Sequence, residues 1–75
     1  MDMQEIDARG LLCPLPVLKL AKRMKSLTVG DCVTLITDDP AAVVDVPHFC
    51  AESGHELVEA TDAEGHQSFL VRKSG

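Results

Sequence analysis

The sequence predicts an α/β fold, a two-layer sandwich of element order β-α-β-α-β-β with two helices on one face of a mixed four-stranded sheet. Three observations predict it. Val17, Leu20, Ala21, Met24 and Leu27 recur at three- and four-residue spacing, the period of an amphipathic helix. Asp38-Asp39-Pro40 is a second helix start that follows a strand-like stretch at residues 32–37. Asp62-Ala63-Glu64-Gly65 reads as a type I turn between two further strand-like stretches, with Asp at its first position and Gly at its fourth.

Residues 4–8 read as a short strand with Ile6 and Ala8 on one face. Arg9-Gly10 then turns the chain, and Gly10 can adopt a positive φ there at no steric cost. A helix is expected from residue 14 to about residue 27, with Lys19, Lys22, Arg23 and Ser26 facing away from its apolar stripe. Pro14 and Pro16 fall in its first turn, where backbone N–H groups have no intrahelical partner to lose. The cationic residues of its later turns complement the helix dipole, and Val29-Gly30 stops it. Residues 32–37 form the next strand, with Val33 and Leu35 on one face and Cys32 on the other. The second helix takes Asp39 as N-cap and Pro40 as its first residue, and runs to about residue 53 before Gly54. Pro47 inside it predicts a break or kink near Asp45-Val46. Residues 55–61 and 67–73 are the last two strands, an antiparallel hairpin, whereas helix crossovers make the first strands parallel. The order of the strands in the sheet is not written in the pattern.

A chain of 75 residues is one domain, spanning residues 1–75. Chains of this size bury only about 60% of their unfolded surface, so the core is thin and any chemistry has to be simple and close to the surface. With only Phe49 and Phe69 as aromatics, that core is built from aliphatic residues and Met. No apolar run approaches a membrane span, and Met1-Asp2-Met3-Gln4-Glu5 lacks the basic start and apolar block of a secretory leader. Both point to the cytoplasm. A formal charge of −5 argues against direct nucleic-acid binding, which basic residues drive. The glycines read as turn residues and form no phosphate-binding loop.

Cysteines stand at positions 13, 32 and 50, with no Cys-x-x-Cys pair. That excludes a thioredoxin-type dithiol or a zinc knuckle and leaves three free thiols. His48, His55 and His66 with Cys50 match no zinc spacing, so no metal is expected.

Cys13 stands out because it falls at or beside the N-cap of the first helix, framed by Pro14 and Pro16. Unpaired N–H groups and the positive end of the dipole favour an anion there. A thiol so placed commonly has its pKa lowered from about 8.5 into the range ~3.5–7.5. The bland alternative is a small apolar residue tucked under the helix start, as most free cysteines are. The prolines argue for the reactive thiol: they stiffen the helix start, and Cys is a poorer cap than Ser, Thr, Asp or Asn. Cys50 and Cys32 read as structural. Asp38, Asp39 and Asp45 read as non-catalytic carboxylates, with helix capping accounting for Asp39 and open to Asp45. Arg9, Lys19, Lys22, Arg23 and Lys25 form a basic patch suited to acidic partner surfaces, although a solvated helix face explains it equally.

The stretch Asp7-Ala8-Arg9-Gly10-Leu11-Leu12-Cys13-Pro14-Leu15-Pro16-Val17 resembles the signature of the TusA/SirA-like sulfurtransferase family, which carries a Cys-Pro-x-Pro motif. Asp38-Asp39-Pro40, Asp45-Val46-Pro47-x-Phe49-Cys50, Gly54-His55-Glu56-Leu57 and Phe69-Leu70-Val71-Arg72-Lys73 follow the family pattern in order, so the resemblance covers nearly the whole chain. It implies the same β-α-β-α-β-β sandwich. It implies a sulfurtransferase that accepts sulfane sulfur as a persulfide on Cys13, with Gly10, Pro14 and Pro16 as positioning residues and Arg9, Lys19, Lys22 and Arg23 as partner-binding residues. The donor is then a cysteine desulfurase or another sulfur donor. The acceptor is a downstream protein in tRNA thiolation, molybdenum-cofactor assembly or sulfur metabolism. No cofactor is required, and a carrier that presents one face to two partners in turn is expected to be a monomer. The competing readings are a non-enzymatic regulatory or adaptor domain with an unreactive Cys13, a thiol redox sensor and, more distantly, an RNA-binding domain.

Overall fold

The computed structural model describes residues 4–74. Met1, Asp2 and Met3, part of the N-terminal stretch read above for a leader, lie outside the described residues, as does Gly75. Six elements follow the expected order: β1 (Gln4–Asp7), α1 (Leu15–Lys25), β2 (Cys32–Thr37), α2 (Ala42–Ser53), β3 (Glu56–Ala63) and β4 (His66–Arg72). They build one mixed sheet of order β1-β2-β4-β3 with two helices packed on it. β1 and β2 are parallel, Ile6 opposite Leu35; β2 and β4 are antiparallel, Leu35 opposite Phe69.

The strand alternation decides which face is covered. Val33, Leu35 and Thr37 of β2 are fully buried while Cys32, Thr34 and Ile36 between them are half-buried. Period-two alternation puts the first three beneath the helices. Ile6, Ala8, Phe69 and Val71 join them from the sheet, and Leu20, Met24, Leu27, Ala42, Val46 and Cys50 close over them from the helices. Every member of that core except Ala8 and Leu27 lies inside a helix or strand, which is how a chain this short closes a core at all.

The boundaries differ from the sequence reading for local reasons. β1 ends at Asp7, although Ala8 stays buried and its N–H still donates to the Ile36 carbonyl. α1 starts at Leu15, with Pro14 as N-cap and Pro16 as its second residue. It stops at Lys25, before Val29-Gly30, where the Ser26 hydroxyl donates back to the Arg23 carbonyl at 2.8 Å. α2 starts two residues after Pro40, with Ala41 as N-cap. Asp39 serves that start from one turn further back, accepting from the Ala41 N–H at 3.1 Å. The expected break at Asp45-Val46 does not occur: α2 is continuous through Pro47. The carbonyl that Pro47 leaves without its helical partner belongs to Val43, an exposed residue. β3 and β4 each begin a residue off the expected bounds and meet in a tighter turn, with Ala63 paired to His66. Gly65 takes the third turn position at φ +78°, where a type II turn needs a positive φ, in place of the fourth position of a type I turn. β3 carries a bulge between Leu57 and Glu59, as edge strands often do.

The helix faces give a stability test. Leu20→Ala, at a fully buried position, is expected to lower unfolding stability by about 2–5 kcal/mol. Leu18→Ala, at a position 55% exposed, should change it by less than about 0.5 kcal/mol, and urea unfolding of the two variants measures the contrast.

Candidate functional site

Because β1 and β2 run parallel side by side, the loops that leave their C-terminal ends emerge at the same edge of the sheet. In open α/β sheets this is where sites form. Here it brings the 8–14 loop against the 38–41 loop and the first turns of α2, and Cys13 stands between them.

Three aspartates hold the Cys13 loop. The Gly10 N–H donates to Asp38 Oδ1 at 3.0 Å, with Gly10 at φ +84°, a conformation that suits glycine alone. The Cys13 N–H donates to Asp39 Oδ2. The Cys13 thiol donates to Asp45 Oδ2 at 2.8 Å. Asp39 is itself buried, and its N–H donates to the hydroxyl of the fully buried Thr37. The Cys13–Pro14 peptide bond is cis. Cys13 is exposed, and it lines a hollow of about 250 Å³ with Pro14, Val17, Asp45, His48, Phe49 and Glu52.

The environment of Cys13 is the reverse of the one expected. The hydrogen bond to Asp45 raises the thiol pKa, and desolvation and the negative charges of Asp45 and Asp39 push it the same way. The helix N-terminus does not offset this. Pro14 and Pro16 have no N–H, and the Leu15 N–H is taken by the Leu12 carbonyl at 2.8 Å, which leaves Val17 as the free amide of the first turn among the described residues. The prolines that frame the cysteine also remove two of the donors that would have stabilised a thiolate.

The basic patch is elsewhere. Arg9 forms a bidentate pair with Asp7, at 2.9 and 3.0 Å, and holds that carboxyl down at about 2. Lys19, Lys22 and Arg23 line a separate hollow with Ile6 and Ser26, and Arg23 donates to Gln4 Oε1 at 2.9 Å. None of the four lines the hollow at Cys13. Cys50 is buried in the core, which pushes its thiol up, and Cys32 is half-buried at the start of β2. Among the described residues no group of three His, Cys, Asp or Glu side chains is placed to hold a metal ion. No described helix is long and apolar enough to cross a membrane.

The residues that sequence reasoning undervalued are therefore Asp38, Asp39 and Asp45. Capping explains part of Asp39, but all three reach across to the 8–14 loop. Asp38 and Asp39 meet the amides of Gly10 and Cys13, and Asp45, in the first turn of α2, meets the thiol; parallel β1 and β2 bring these groups to one edge, a pairing the sequence pattern does not encode.

Comparison with known proteins finds relatives over nearly the whole chain. The family described as sulfurtransferase TusA matches residues 4–73. A sulfur carrier protein TusA from Allochromatium vinosum is 39% identical over 71 residues, 95% of this chain and 93% of the relative. A putative sulfur carrier protein from Archaeoglobus fulgidus is 35% identical over 95% of this chain and 97% of its own length. A sulfur carrier protein TusA from Pseudomonas syringae is 41% identical over 92% of this chain and 82% of its own. The crystal structure of a SirA-like protein from Desulfitobacterium hafniense has the same fold, with a TM-score of 0.85 at 24% identity over 97% of this chain and all of the other.

Asp39 is the joint to test. Asp39→Ala is expected to cost about 1–3 kcal/mol of stability, because the Cys13 and Ala41 amides lose their acceptor. Asp39→Asn, which keeps one carbonyl oxygen, should cost less. Urea unfolding measures both, and amide exchange at Cys13 should quicken in the Ala variant.

Proposed function

The chain belongs to the sulfurtransferase TusA family, and we propose that it is a sulfur carrier whose working atom is the Sγ of Cys13. The observation that carries this reading is the position of the thiol: of the three cysteines it alone is exposed, on an anchored loop at the sheet edge where two β–α loops meet. Cys50 is enclosed and Cys32 lies within a strand.

The transfer follows from thiol chemistry. A donor protein presents a persulfide, and the Cys13 thiolate attacks its outer sulfur. The donor S–S bond breaks, the donor cysteine leaves with the electron pair and takes up the proton Cys13 lost, and Cys13 carries the new persulfide. Release repeats the step, with an acceptor thiolate attacking the outer sulfur on Cys13. Atoms and electrons balance without an external oxidant, and no cofactor enters. In this reading the chain is a sulfurtransferase by persulfide relay, working in the cytoplasm between a cysteine desulfurase or comparable donor and an acceptor protein. Gly10, Pro14 and Pro16 shape the loop and helix start, and Lys19, Lys22 and Arg23 are a docking face apart from the thiol. Arg9, engaged by Asp7, belongs to the loop rather than to that face.

A second reading rests on the Cys13–Asp45 contact: a regulatory or adaptor domain in which Cys13 stays a thiol and a partner binds the fold. One experiment separates the two. The protein is incubated with a cysteine desulfurase and cysteine, and its intact mass is taken without reductant. The carrier gains one sulfur atom, loses it to dithiothreitol, and Cys13→Ser gains none. A wild-type chain unmodified by desulfurase, thiosulfate and polysulfide alike, or a Cys13→Ser chain that loads equally, overturns the carrier reading.

A further inference from the structure

The loading reaction needs a thiolate, and the site is built to withhold one. Asp45 Oδ2 lies 2.8 Å from Cys13 Sγ, close enough that the thiol must be the donor and the carboxylate the acceptor. Removing that proton places two anions in contact. Among the described residues no Lys or Arg lines this hollow: the titratable groups that face Cys13 are Asp45, His48 and Glu52 from α2 and Asp39 from the loop before it. His48 is turned to Glu52, 3.2 Å away. From its own side Cys13 is met by Pro14 and Val17, which carry no charge.

We propose that Asp45 is a positioning and specificity residue that keeps Cys13 a thiol in the free carrier and turns away small sulfur anions such as hydropolysulfide. The proposal rests on Cys13 being the loaded atom. A free sulfur anion approaches the exposed sulfur against the negative charges of Asp45 and Glu52 beside it, and it finds a thiol rather than a thiolate when it arrives. A docked protein that sets an amide N–H or a cation on the Asp45 carboxylate removes both obstacles at once, because the carboxylate then has a donor other than the thiol. Asp45 is half-buried on a continuous helix and fixed in direction, whereas the sulfur lies open to solvent beside it.

The reaction that Asp45 restrains is balanced in itself. The Cys13 thiolate attacks the terminal S–H sulfur of hydropolysulfide and one S–S bond breaks. The shortened polysulfide leaves with the electron pair and takes the proton that Cys13 gave up.

Asp45→Asn tests this, since the amide oxygen still accepts the S–H bond while the charge is gone. The pH profile of Cys13 alkylation by iodoacetamide, read by peptide mass, should move down by about one to two units in the variant. At pH 7 its rate should rise about threefold for each unit, the gain in thiolate being partly offset by lower nucleophilicity. Iodoacetate, an anion, should gain more than neutral iodoacetamide. Loading from sodium polysulfide should quicken by at least the same factor, and Asp45→Glu should restore much of the restraint. An unchanged pH profile, or polysulfide loading no faster than wild type, overturns the proposal. If Asp45→Asn does not fold, the wild-type profile decides: a midpoint at or below about 8.5, the ordinary thiol value, overturns the proposal, and one clearly above it supports it. Cys13→Ser run beside these keeps the questions apart. Sulfur uptake that ignores Cys13 removes the carrier reading, whereas Cys13-dependent uptake that ignores Asp45 removes only this proposal.

Discussion

The buried carboxylate of Asp39 is the constraint on which the site depends. A carboxylate taken out of water is costly unless its oxygens are hydrogen-bonded, and Asp39 meets that demand with the amides of Cys13 and Ala41. Those amides belong to different loops, so satisfying one buried carboxylate fixes the Cys13 loop against the start of the second helix. Thr37, fully buried at the end of β2, takes the Asp39 N–H and ties the same joint to the sheet. With only aliphatic residues, Met and two Phe to fill it, the thin core has little to spare for holding loops, and directed polar bonds do that work.

The same joint determines the electrostatics of the thiol. An N-terminal helix position is usually good for a thiolate because orphan N–H groups and the dipole stabilise it. Here two of the first amides are absent by proline chemistry and one is spent on Leu12. What remains near the sulfur is acid, Asp45 in contact and Asp39 behind it, and the sum of these raises the pKa. Sequence position alone gave the wrong sign, because the field of a helix end acts through specific donors, and in this first turn all but the Val17 N–H are absent or already bonded.

Most of the fold is legible in the sequence, and the reasons are local. The α1 stripe through Leu20, Met24 and Leu27 and the alternation at Val33 and Leu35 each follow from one element's own periodicity. Misreadings occur where the deciding partner is distant or is solvent. Pro47 lies within a continuous α2, where the residue whose carbonyl it orphans, Val43, is exposed, and the hairpin tightens because Gly65 supplies a positive φ one place earlier than composition suggests. The place of Cys13 beside the start of α1 is legible. Its surroundings are not, because Asp38, Asp39 and Asp45 reach it from more than two dozen positions away, through a strand order that periodicity does not encode. The basic patch misleads for the same reason: Arg9 adjoins Cys13 in sequence but turns to Asp7, and the α1 cations face another hollow.

A sulfur carrier faces two opposed demands. Its thiol has to be open enough for two proteins in turn to reach it, and a sulfur so open is exposed to every small oxidant and sulfur anion in solution. Burial solves the second demand and defeats the first. A carboxylate beside the thiol is a different solution, since it leaves the sulfur sterically open and makes it chemically quiet, and the restraint can be lifted by whatever a partner brings to the carboxylate. That solution requires the carboxylate to be held in place while the sulfur stays exposed. Asp45 on an unbroken helix, and Cys13 on a loop pinned also through the amides of Gly10 and Cys13, meet that requirement.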